Sequence, residues 1–447
     1  MGQIQTAVDI QTARLNADEY IKNFSDMHPP LGATAALVEA DRCYFCYDAP
    51  CTTSCPTGID VAGFIRMIST ENNIGAARLI LEENILGGSC ARVCPTETLC
   101  EQACVRNDQD QRPVSIGLLQ RHAVDAAMAA DKQFFGRAAD TGKRIAIVGA
   151  GPASLSCAHG LARKGHSVTI LEACEKSGGL NEYGLAAYKM LDDFASREIE
   201  YILAIGNIDI RYGQRLGVDF DLVNLQNDYD AVFLGIGLSA VNNLGLENEG
   251  AKNVINAVDY IAQLRQSNSL ADLPVGKRVV VIGGGMTAID MATQIRLLGA
   301  EEVTLVYRRE KEAMNASEDE QEFTQVKGVT IRYNAKPHRI QTNEGQICGV
   351  EFESTKNNEG GRLEGTGAYF DLPADMIFKA IGQVFEAPSN CGFELDKGRI
   401  QVDAERKTSV AGVWAGGDAV SDGEDLTVAA AQDGKLAARS IHRYLCN

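Results

Sequence analysis

The stretch RIAIVGAGPAS, residues 144–154, decides the fold of most of the chain. Its apolar run ending at Val148 predicts a buried strand, and the glycines that follow predict a tight turn into a helix. A second copy, RVVVIGGGMTA, occupies residues 278–288. A strand, a glycine loop and a helix in that order are typical of doubly wound nucleotide-binding domains, and two matched copies are a much stronger signal than one.

The rest of the chain is organised around these two copies. Apolar residues recur at helical spacing in residues 61–68, 76–80 and 116–128, and the polar stretch 136–143 is typical of a linker. The predicted fold class is α/β, with an N-terminal helical domain rich in cysteine and then two Rossmann-like nucleotide-binding domains, the second inserted in the first. The predicted bounds are 1–140 for the helical domain, 141–260 with 386–447 for the first nucleotide domain, and 261–385 for the second.

Composition and charge disfavour several classes of function. With 447 residues, 45% of them hydrophobic and 23% charged, the chain has the composition of an ordinary soluble globular protein. A net charge of −18 argues against a nucleic-acid partner. An unbroken apolar run of about 18 residues, which a membrane span would need, is not found in the sequence. Because residues 1–9 show no secretory signal, a cytoplasmic location is expected.

Thirteen cysteines in a chain without an export signal need a chemical role. Eight of them fall in two runs. Thiolates at such spacings converge on an iron–sulfur core, and in ferredoxin-like runs the last cysteine ligates a second cluster. The runs are Cys43-x2-Cys46-x4-Cys51-x3-Cys55 and Cys90-x3-Cys94-x5-Cys100-x3-Cys104.

This crossing rule predicts two iron–sulfur clusters. The first three cysteines of the first run would hold one cluster, which Cys104 completes, while Cys55 would cross to the other. By spacing alone, Cys90 would be the eighth ligand. Structural zinc is the alternative, but zinc favours paired Cys-x2-Cys knuckles and the chain has one such pair. A thioredoxin-type redox pair is also disfavoured, because no strand precedes Cys43.

The first glycine loop, residues 149–154, predicts a pyrophosphate site at a helix N-terminus. Ser154 stands where the pattern has glycine or alanine, and it is small enough to be tolerated. Glu172 follows the next predicted strand, 168–171, at the distance where an acid binds an adenosine ribose. Because an acid there disfavours a 2′-phosphate, the predicted ligand is FAD or NAD.

The second glycine loop, residues 283–288, fits the pattern G-x-G-x-x-A. The strand predicted after it, 303–307, ends in Arg308 and Arg309 instead of an acid. Two guanidiniums there can grip a 2′-phosphate, which favours NADP(H) over NAD(H). The alternative is that both arginines are ordinary surface charges.

A third strand signal, VWAGGD at residues 413–418, lies shortly before a helical pattern that starts near Leu426. Asp418 alone could be a helix cap. In a chain whose first loop binds a flavin, Asp418 is better interpreted as the acid that contacts the ribityl chain. The flavin domain would then be discontinuous, with the nicotinamide domain inserted in it.

These motifs resemble one family over essentially the whole chain. The runs RCYFCYDAPC at 42–51, CARVCPTE at 90–97, IGLLQ at 116–120 and GPASLSCA at 151–158 are similar to the N-terminal part of dihydropyrimidine dehydrogenase. In length the chain resembles the separate bacterial flavin subunit of that enzyme, the PreT type. The wider group includes the glutamate synthase small subunit and the large subunit of the bifurcating NADH-dependent ferredoxin:NADP oxidoreductase.

The resemblance implies a ligand set that differs from the one that spacing predicts. One cluster would use four cysteines, and the other would use three cysteines and the side-chain oxygen of Gln120. Cys90 would then be a buried thiol that ligates nothing, which is also a common role for cysteine. The implied ligands are Cys43, Cys46, Cys51 and Cys104 for the first cluster, and Cys55, Cys94, Cys100 and Gln120 for the second.

The resemblance also implies nucleotide contacts, residue by residue. Lys189 stands where mammalian-type enzymes have arginine, and Asn315 replaces a phosphate-binding arginine of the NADPH-dependent members, which weakens the preference for NADP(H). The implied flavin contacts are Gly149, Gly151, Pro152, Ala153, Ser154, Glu172, Gly179, Leu180, Lys189, Gly417, Asp418, Thr427 and Val428. The implied nicotinamide contacts are Gly284, Gly285, Met286, Thr287, Arg308, Arg309, Ala380, Ile381 and Gly382.

The implied function is the electron input of dihydropyrimidine dehydrogenase. NAD(P)H would pass a hydride to FAD, and two 4Fe–4S clusters would carry single electrons to a partner. That partner is expected to be a catalytic FMN and iron–sulfur subunit, the PreA type, joined in a heterotetramer. It would reduce uracil or thymine to the 5,6-dihydro form, so this chain needs no catalytic side chain of its own.

Three alternatives stay open. A glutamate synthase small subunit or an NAD(P)H:ferredoxin oxidoreductase keeps the chemistry and changes the partner, although Ala49-Pro50-Cys51 and Gln120 favour the pyrimidine enzyme. A flavin disulfide reductase needs a cysteine pair beside the flavin, which the spacing of Cys157 and Cys174 does not provide. A non-enzymatic iron–sulfur scaffold is disfavoured by the two intact nucleotide loops.

Overall fold

The computed structural model describes residues 10–358, 360–389 and 391–446. Residues 1–9, where the sequence predicts no secretory signal and where the predicted helical domain begins, lie outside the described residues. Contacts divide the chain into two compact units, which we call the cysteine unit and the inserted unit. The cysteine unit comprises Met27–Glu182, Lys189–Ser239 and Phe385–Asn447, and the inserted unit comprises Met1–Asp26, Tyr183–Tyr188 and Ala240–Val384.

The helices dominate the first part of the chain, and strands alternate with helices after it. The α-helices are α1 Ala17–Asn23, α2 Ala33–Ala40, α3 Pro50–Thr53, α4 Val61–Ser69, α5 Asn73–Glu83, α6 Gly87–Val93, α7 Asn107–Asp110, α8 Ile116–Ala129, α9 Pro152–Arg163, α10 Leu180–Tyr183, α11 Phe194–Leu203, α12 Leu222–Asp228, α13 Ala257–Gln266, α14 Met286–Leu297, α15 Glu318–Val326 and α16 Thr427–Cys446. The strands are β1 Arg144–Val148, β2 Ser167–Glu172, β3 Ile208–Tyr212, β4 Ala231–Leu234, β5 Ala240–Val241, β6 Val254–Asn256, β7 Arg278–Gly283, β8 Glu302–Val306, β9 Thr330–Arg332, β10 Ala335–Asn343, β11 Gln346–Asn357, β12 Leu363–Pro373, β13 Met376–Ala380, β14 Gln383–Val384, β15 Leu395–Asp396, β16 Arg399–Ile400 and β17 Val413–Ala415.

The cysteine unit contains a parallel sheet in the order β17-β4-β1-β2-β3. Strand β1 is central and buried on both faces, which explains its unbroken apolar run. The strand order reverses direction between β1 and β4. Ligands of such sheets bind at that switch point, outside the carboxyl ends of the strands.

One apolar cluster joins the cysteine-rich helices of this unit to its sheet. It includes Phe64, Ile80 and Leu119 from the helices, with Ile147 and Leu155 from β1 and α9. The predicted helical stretches 61–68, 76–80 and 116–128 are confirmed as α4, α5 and α8. Because they share a core with the sheet, they belong to the same compact unit as the first glycine loop.

The inserted unit contains a second parallel sheet with the same plan, in the order β6-β13-β7-β8-β9. An antiparallel sheet, β10-β11-β12, belongs to the same unit. Strand β5 pairs with β14 and β6 pairs with β13, so residues 240–256 belong here. The longest segment of this unit is therefore Ala240–Val384, whereas the predicted nicotinamide domain spans 261–385. Among the helices that the structure describes, none has both the length and the apolar character needed to cross a membrane.

Candidate functional site

The first cysteine run folds around a cavity in the cysteine unit. A left-handed backbone at Phe45, with φ 51°, turns the chain within the run, and Phe45 N donates to Cys43 Sγ over 3.4 Å. A cysteine of the second run completes the lining. The cysteines at this cavity, which we call the four-thiol set, are Cys43, Cys46, Cys51 and Cys104.

A second cavity collects the remaining cysteines of the two runs. Cys55 reaches it from the first run, so each run contributes one cysteine to the cavity of the other. Gln120, on α8, faces the same cavity. We call Cys55, Cys94, Cys100 and Gln120 the mixed set.

Gln120 and Cys90 both line this second cavity, and their hydrogen bonds differ. Gln120 is 8% exposed, and its Nε2 donates to Gly87 O at 2.7 Å. This hydrogen bond orients the amide, and the lone pairs of its Oε1 can then ligate a cation. The Cys90 thiol is already engaged, because its hydrogen bond with Cys94 is the first cause of the raised pKa of the Cys94 thiol.

The thiols of both sets are buried, which disfavours their charged forms. Burial, followed by the neighbouring Cys43 and Cys104, raises the pKa of Cys51 to about 11. Burial also raises the pKa of Cys100. All thirteen cysteines are free thiols. Several thiolates in one apolar cavity need a cation to compensate their charge, and the irons of a cluster supply it. The donors present therefore fit an iron–sulfur group.

Strand β1 ends in the first glycine loop. Gly149 has φ +86°, and a Cβ at this position would lie 2.5 Å from Gly235 O, so only glycine fits. Gly151 precedes α9, and Pro152 is the first residue of that helix. Ser154 packs against Gly235, where a Cβ would come 2.1 Å from the serine Oγ. The serine thus takes the close helix–strand contact that glycine or alanine usually makes there.

Glu172, the last residue of β2, is tied to this loop. Its Oε2 accepts from Ala150 N at 2.6 Å, and its Oε1 accepts from Cys174 N at 2.7 Å. Gly178 N donates to Ala150 O at 2.8 Å, which brings the following Gly179 beside the loop. Glu172, the first glycine loop and the pair Gly178–Gly179 therefore lie together at the carboxyl end of the sheet.

The chain returns to this edge of the sheet after β17. Gly417 has φ +77°, and its N donates to Asp433 Oδ2 at 2.8 Å. Thr427 begins α16, and its Oγ1 donates to Asn181 Oδ1 at 2.7 Å. Burial is the first cause that raises the pKa of Asp418 to about 6, and it raises that of Asp433 to about 6 as well.

The other predicted flavin contacts lie in different surroundings. Ala153 is in the first turn of α9. Leu180 is exposed and Lys189 is buried. Val428 lines the second cysteine cavity together with the mixed set. The two predicted flavin segments therefore lie at one edge of one sheet. Val428, the last predicted flavin contact in the chain, lies at a cysteine cavity.

The second glycine loop follows β7 in the inserted unit. A Cβ on Gly283 would lie 2.2 Å from Ala380 O, the last residue of the neighbouring strand β13. A Cβ on Gly284 would lie 2.2 Å from the ring of Tyr307. Both positions therefore require glycine. The other predicted contacts at this edge are Gly285, Met286 and Thr287 at the start of α14, and Ile381 and Gly382 after β13.

Arg308 and Arg309 follow β8 and are exposed. Their backbone is held in place: Thr355 Oγ1 donates to Arg308 O at 2.7 Å, and Asn334 N donates to Arg309 O at 3.0 Å. Within the part of the chain that the structure describes, neither guanidinium forms an ion pair. Both are thus accessible to an anion, and Asn315, which replaces a further arginine of the NADPH-dependent members, is exposed as well.

Sequence patterns missed three polar residues of these sites: Asn84, Asn181 and Asp433. Asn84 Nδ2 donates to Cys90 Sγ at 3.1 Å. The bond between Asn181 and Thr427 joins residues 246 apart in the chain. A contact of that range has no local motif, so no sequence signal was available to find Asn181.

The disulfide-reductase alternative requires two cysteines that meet beside the flavin loop. Cys157, on α9, is fully buried, whereas Cys174 is exposed. Burial raises the pKa of Cys157, and Cys174 is not among the causes. These two thiols therefore do not have the shared environment of a redox pair.

Known proteins resemble this chain in both sequence and fold. Residues 143–434 match the family model of pyridine nucleotide-disulphide oxidoreductases, and residues 20–132 match dihydropyrimidine dehydrogenase domain II, 4Fe-4S cluster. The chain is 34% identical to the NAD-dependent dihydropyrimidine dehydrogenase subunit PreT of Salmonella typhimurium, over 95% of this chain and 98% of that protein. It is also 34% identical to the glutamate synthase [NADPH] small chain of Escherichia coli, over 94% of each.

Solved structures resemble the chain in fold. FprA from Mycobacterium tuberculosis, in complex with NADPH, superposes with a TM-score of 0.59 at 18% identity, covering 68% of this chain and 85% of that one. Thioredoxin reductase from T. acidophilum gives a TM-score of 0.54 at 22% identity, covering 68% and 100%. At these identities the likeness shows the fold alone.

Two parallel nucleotide-binding sheets and a helical 4Fe–4S domain define an electron-transferring, NAD(P)-dependent flavin oxidoreductase. The chain belongs to the pyridine nucleotide-disulphide oxidoreductase family, with a 4Fe–4S domain of the dihydropyrimidine dehydrogenase type preceding the family domain. The predicted fold class and the predicted family resemblance are confirmed. The two matched domains imply FAD, NAD(P)H and 4Fe–4S iron as cofactors.

Proposed function

We propose that this chain is the electron-input subunit of a dihydropyrimidine dehydrogenase. It oxidises NAD(P)H at FAD and passes the electrons through two 4Fe–4S clusters to a separate catalytic FMN and iron–sulfur subunit, which reduces uracil or thymine to the 5,6-dihydro compound. The two subunits form a heterotetramer in the cytoplasm, whose reducing character suits thirteen free thiols. One observation carries the proposal. The two cysteine runs exchange one cysteine each, so that their donors line two cavities, one with the four-thiol set and the other with the mixed set.

Each set is proposed to hold one cluster. Four donors around one cavity are the number that a 4Fe–4S cluster takes. In the mixed set, Gly87 O accepts from Gln120 Nε2, so the amide presents its oxygen. Cys90 stays outside the ligand set as the acceptor of the Asn84 amide. This assignment follows the family resemblance and departs from spacing, which favours Cys90.

The chain's own contribution to the chemistry is to bind and orient the nucleotides. When bound, FAD accepts a hydride from the nicotinamide, and the clusters carry single electrons onward. Glu172 closes the first glycine loop by accepting from two backbone amides, and each carboxylate oxygen keeps a second lone pair for a ribose hydroxyl. Asp418 is proposed to accept from the ribityl chain.

The nicotinamide site is proposed to take NAD(P)H through Arg308, Arg309 and the loop glycines. Two exposed guanidiniums favour a 2′-phosphate. Asn315 stands where the NADPH-dependent members of the family have a third cation, so the preference for the phosphate is smaller than in those members.

The order of the two clusters is supported by what lines each cavity. Val428, next to the predicted flavin contact Thr427, lines the second cavity. Tyr44 lines the first and is 48% exposed, and Tyr47, which follows Cys46, is fully exposed. We therefore place the mixed set on the flavin side of the electron path and the four-thiol set on the partner side.

A glutamate synthase small subunit is the second candidate. The identity to that protein, 34%, equals the identity to the pyrimidine enzyme's subunit, so overall similarity does not separate the two. An NAD(P)H:ferredoxin oxidoreductase would use the same cofactors with another acceptor. Gln120 at the second cavity and the run Ala49-Pro50-Cys51 favour the pyrimidine enzyme.

The deciding experiment is anaerobic co-purification of the chain with its native partner. The complex is assayed for NADH- and NADPH-dependent consumption of uracil, with each subunit alone as the control. Uracil turnover that needs both subunits supports the proposal. Formation of glutamate from 2-oxoglutarate and glutamine, without uracil turnover, contradicts the proposal and establishes the second candidate.

A further inference from the structure

A group of metal-binding side chains lies in the cysteine unit and lines neither cysteine cavity. His166 immediately precedes β2, and His442 and Cys446 lie one turn apart on α16. His166 Nε2 is 2.9 Å from His442 Nδ1, and Cys446 Sγ is 3.6 Å from the same Nδ1. The three potential ligand atoms all lie within 4.8 Å of one another.

Thr141 Oγ1 lies 2.7 Å from His166 Nδ1 and 3.4 Å from Gly165 O. In the His166 tautomer with its proton on Nδ1, this nitrogen donates to Thr141 Oγ1, and Nε2 carries the lone pair that faces His442. Metal-binding histidines are oriented in the same way, with the second ring nitrogen donating to an oxygen.

The neutral form of imidazole is the form that binds a metal. Burial, followed by the neighbouring His442, lowers the pKa of His166, against the opposing effects of Asp140 and Asp230. Burial, followed by Lys164, lowers the pKa of His442. Burial therefore favours the neutral form of both rings.

We propose that His166 Nε2, His442 Nδ1 and Cys446 Sγ bind one divalent cation of the zinc class, with a fourth position open to solvent. Two imidazole nitrogens and a thiolate are ligands that zinc prefers, at about 2.0–2.3 Å, so ligand atoms in a tetrahedron are roughly 3.3–3.8 Å apart. The gaps of 2.9 and 3.6 Å are close to that spacing. Cys446 is exposed, so its thiol closes the remaining distance by rotating about its Cα–Cβ bond.

Binding exchanges protons for the metal without any oxidation or reduction. Cys446 releases its thiol proton to solvent as the metal–sulfur bond forms, and His442 shifts its proton from Nδ1 to Nε2. The cation then fastens the last turn of α16 to the start of β2. The first turn of the same helix carries Thr427, so the site anchors the far end of a helix that begins at the predicted flavin contacts.

Zinc binding by the holoprotein tests this site. The protein, with its iron content measured, is dialysed against Zn²⁺, treated with a weak chelator and analysed for metals. We expect one retained zinc per chain, and we expect His442→Ala and Cys446→Ser to lose it with unchanged iron. His338→Ala, at an exposed histidine of the other unit, is the matched control and should retain the zinc.

Alkylation of the thiols gives a second readout. Zn²⁺ should slow the labelling of Cys446 by iodoacetamide and leave the labelling of Cys174, also an exposed thiol, unchanged. Equal zinc in the wild type and His442→Ala would overturn the proposal, as would labelling of Cys446 that does not respond to Zn²⁺. Zinc that is retained only when iron is lost would place the metal in the cysteine cavities, and this too would overturn it.

Discussion

The two cysteine cavities are built from the same two runs of sequence, yet they differ in their donors. One is lined by four thiols, and the other by three thiols of the mixed set with an oriented amide. An amide is neutral where a thiolate is negative, so the proposed cluster of the mixed set carries one negative charge less. Net charge is one of the terms that set a cluster's reduction potential. A single changed donor is therefore expected to contribute to a difference in potential between the two proposed clusters.

Removing one thiol of the four-thiol set should have the largest effect. In Cys51→Ser a neutral hydroxyl replaces a thiolate, so we expect iron to fall from about eight to about four per chain. Electron delivery to the partner should be lost, whereas FAD content and NAD(P)H-dependent reduction of a small dye should persist. Iron, sulfide and flavin analysis of the anaerobically purified protein measures this. Cys391→Ser, at a buried cysteine of another apolar cluster, is the control.

Substitution at Gln120 and Cys90 tests the difference between the cavities directly. Gln120→Cys adds a negative charge, so the midpoint potential of one cluster should fall in a redox titration followed by electron paramagnetic resonance. Cys90→Ser should leave iron and both potentials unchanged, because serine can still accept from Asn84. If Cys90→Ser loses iron and Gln120→Cys changes no potential, then Cys90 is the eighth ligand.

The two glycine loops also share one plan of sequence and differ in the charged side chains that follow them. One is followed by a buried acid that accepts from the loop, and the other by two exposed arginines. We expect the double variant Arg308→Ala, Arg309→Ala to lower kcat/KM for NADPH by about tenfold or more, because charge-assisted hydrogen bonds to the phosphate are lost. The value for NADH should be unchanged. An equal loss with both nucleotides would assign the arginines another role.

The smallest effect concerns the helix that carries Cys90. Glu198, on α11, accepts from Gly88 N at 2.8 Å and Ser89 N at 3.0 Å at the start of α6. Burial raises the pKa of Glu198 from 4.5 to about 7. Between those values the folded state holds a proton that the unfolded state releases, so stability falls as pH rises through this window and levels off above it.

Glu198→Gln should remove this dependence while keeping the shape of the side chain. The melting temperature of the wild type, relative to that of the variant, should fall by roughly 2–4 °C as pH rises through the window. Thermal melts of both proteins at matched pH values measure the difference. Parallel profiles would show that Glu198 does not titrate in this range.

The sequence predicted the sheets well because their central strands are buried on both faces. Strand β1 covers residues 144–148, the predicted apolar run that ends at Val148, and β7 covers 278–283 at the start of the second copy. Continuous apolar runs ending in glycine identify such strands without knowledge of their partners. Spacing also predicted that Cys55 and Cys104 would each serve the cluster of the other run. Each lines the cavity of the other run, and their role as ligands stays a prediction.

What sequence could not predict depends on contacts between distant residues. Asn181 meets Thr427, and Asp433 holds Gly417, only because α16 returns to the edge of the sheet. The start of the inserted unit's longest segment at Ala240 depends on pairings of two short strands, β5 and β6, that have little apolar pattern of their own. Such features are set by tertiary packing, which has no local signature.

The central claim is that one chain holds two 4Fe–4S clusters beside one FAD. Counting iron, acid-labile sulfide and flavin in protein purified without oxygen tests it most directly. The predicted result is about eight irons and about eight sulfides per FAD. About four irons per FAD, or zinc in place of iron at the cysteine cavities, would contradict it.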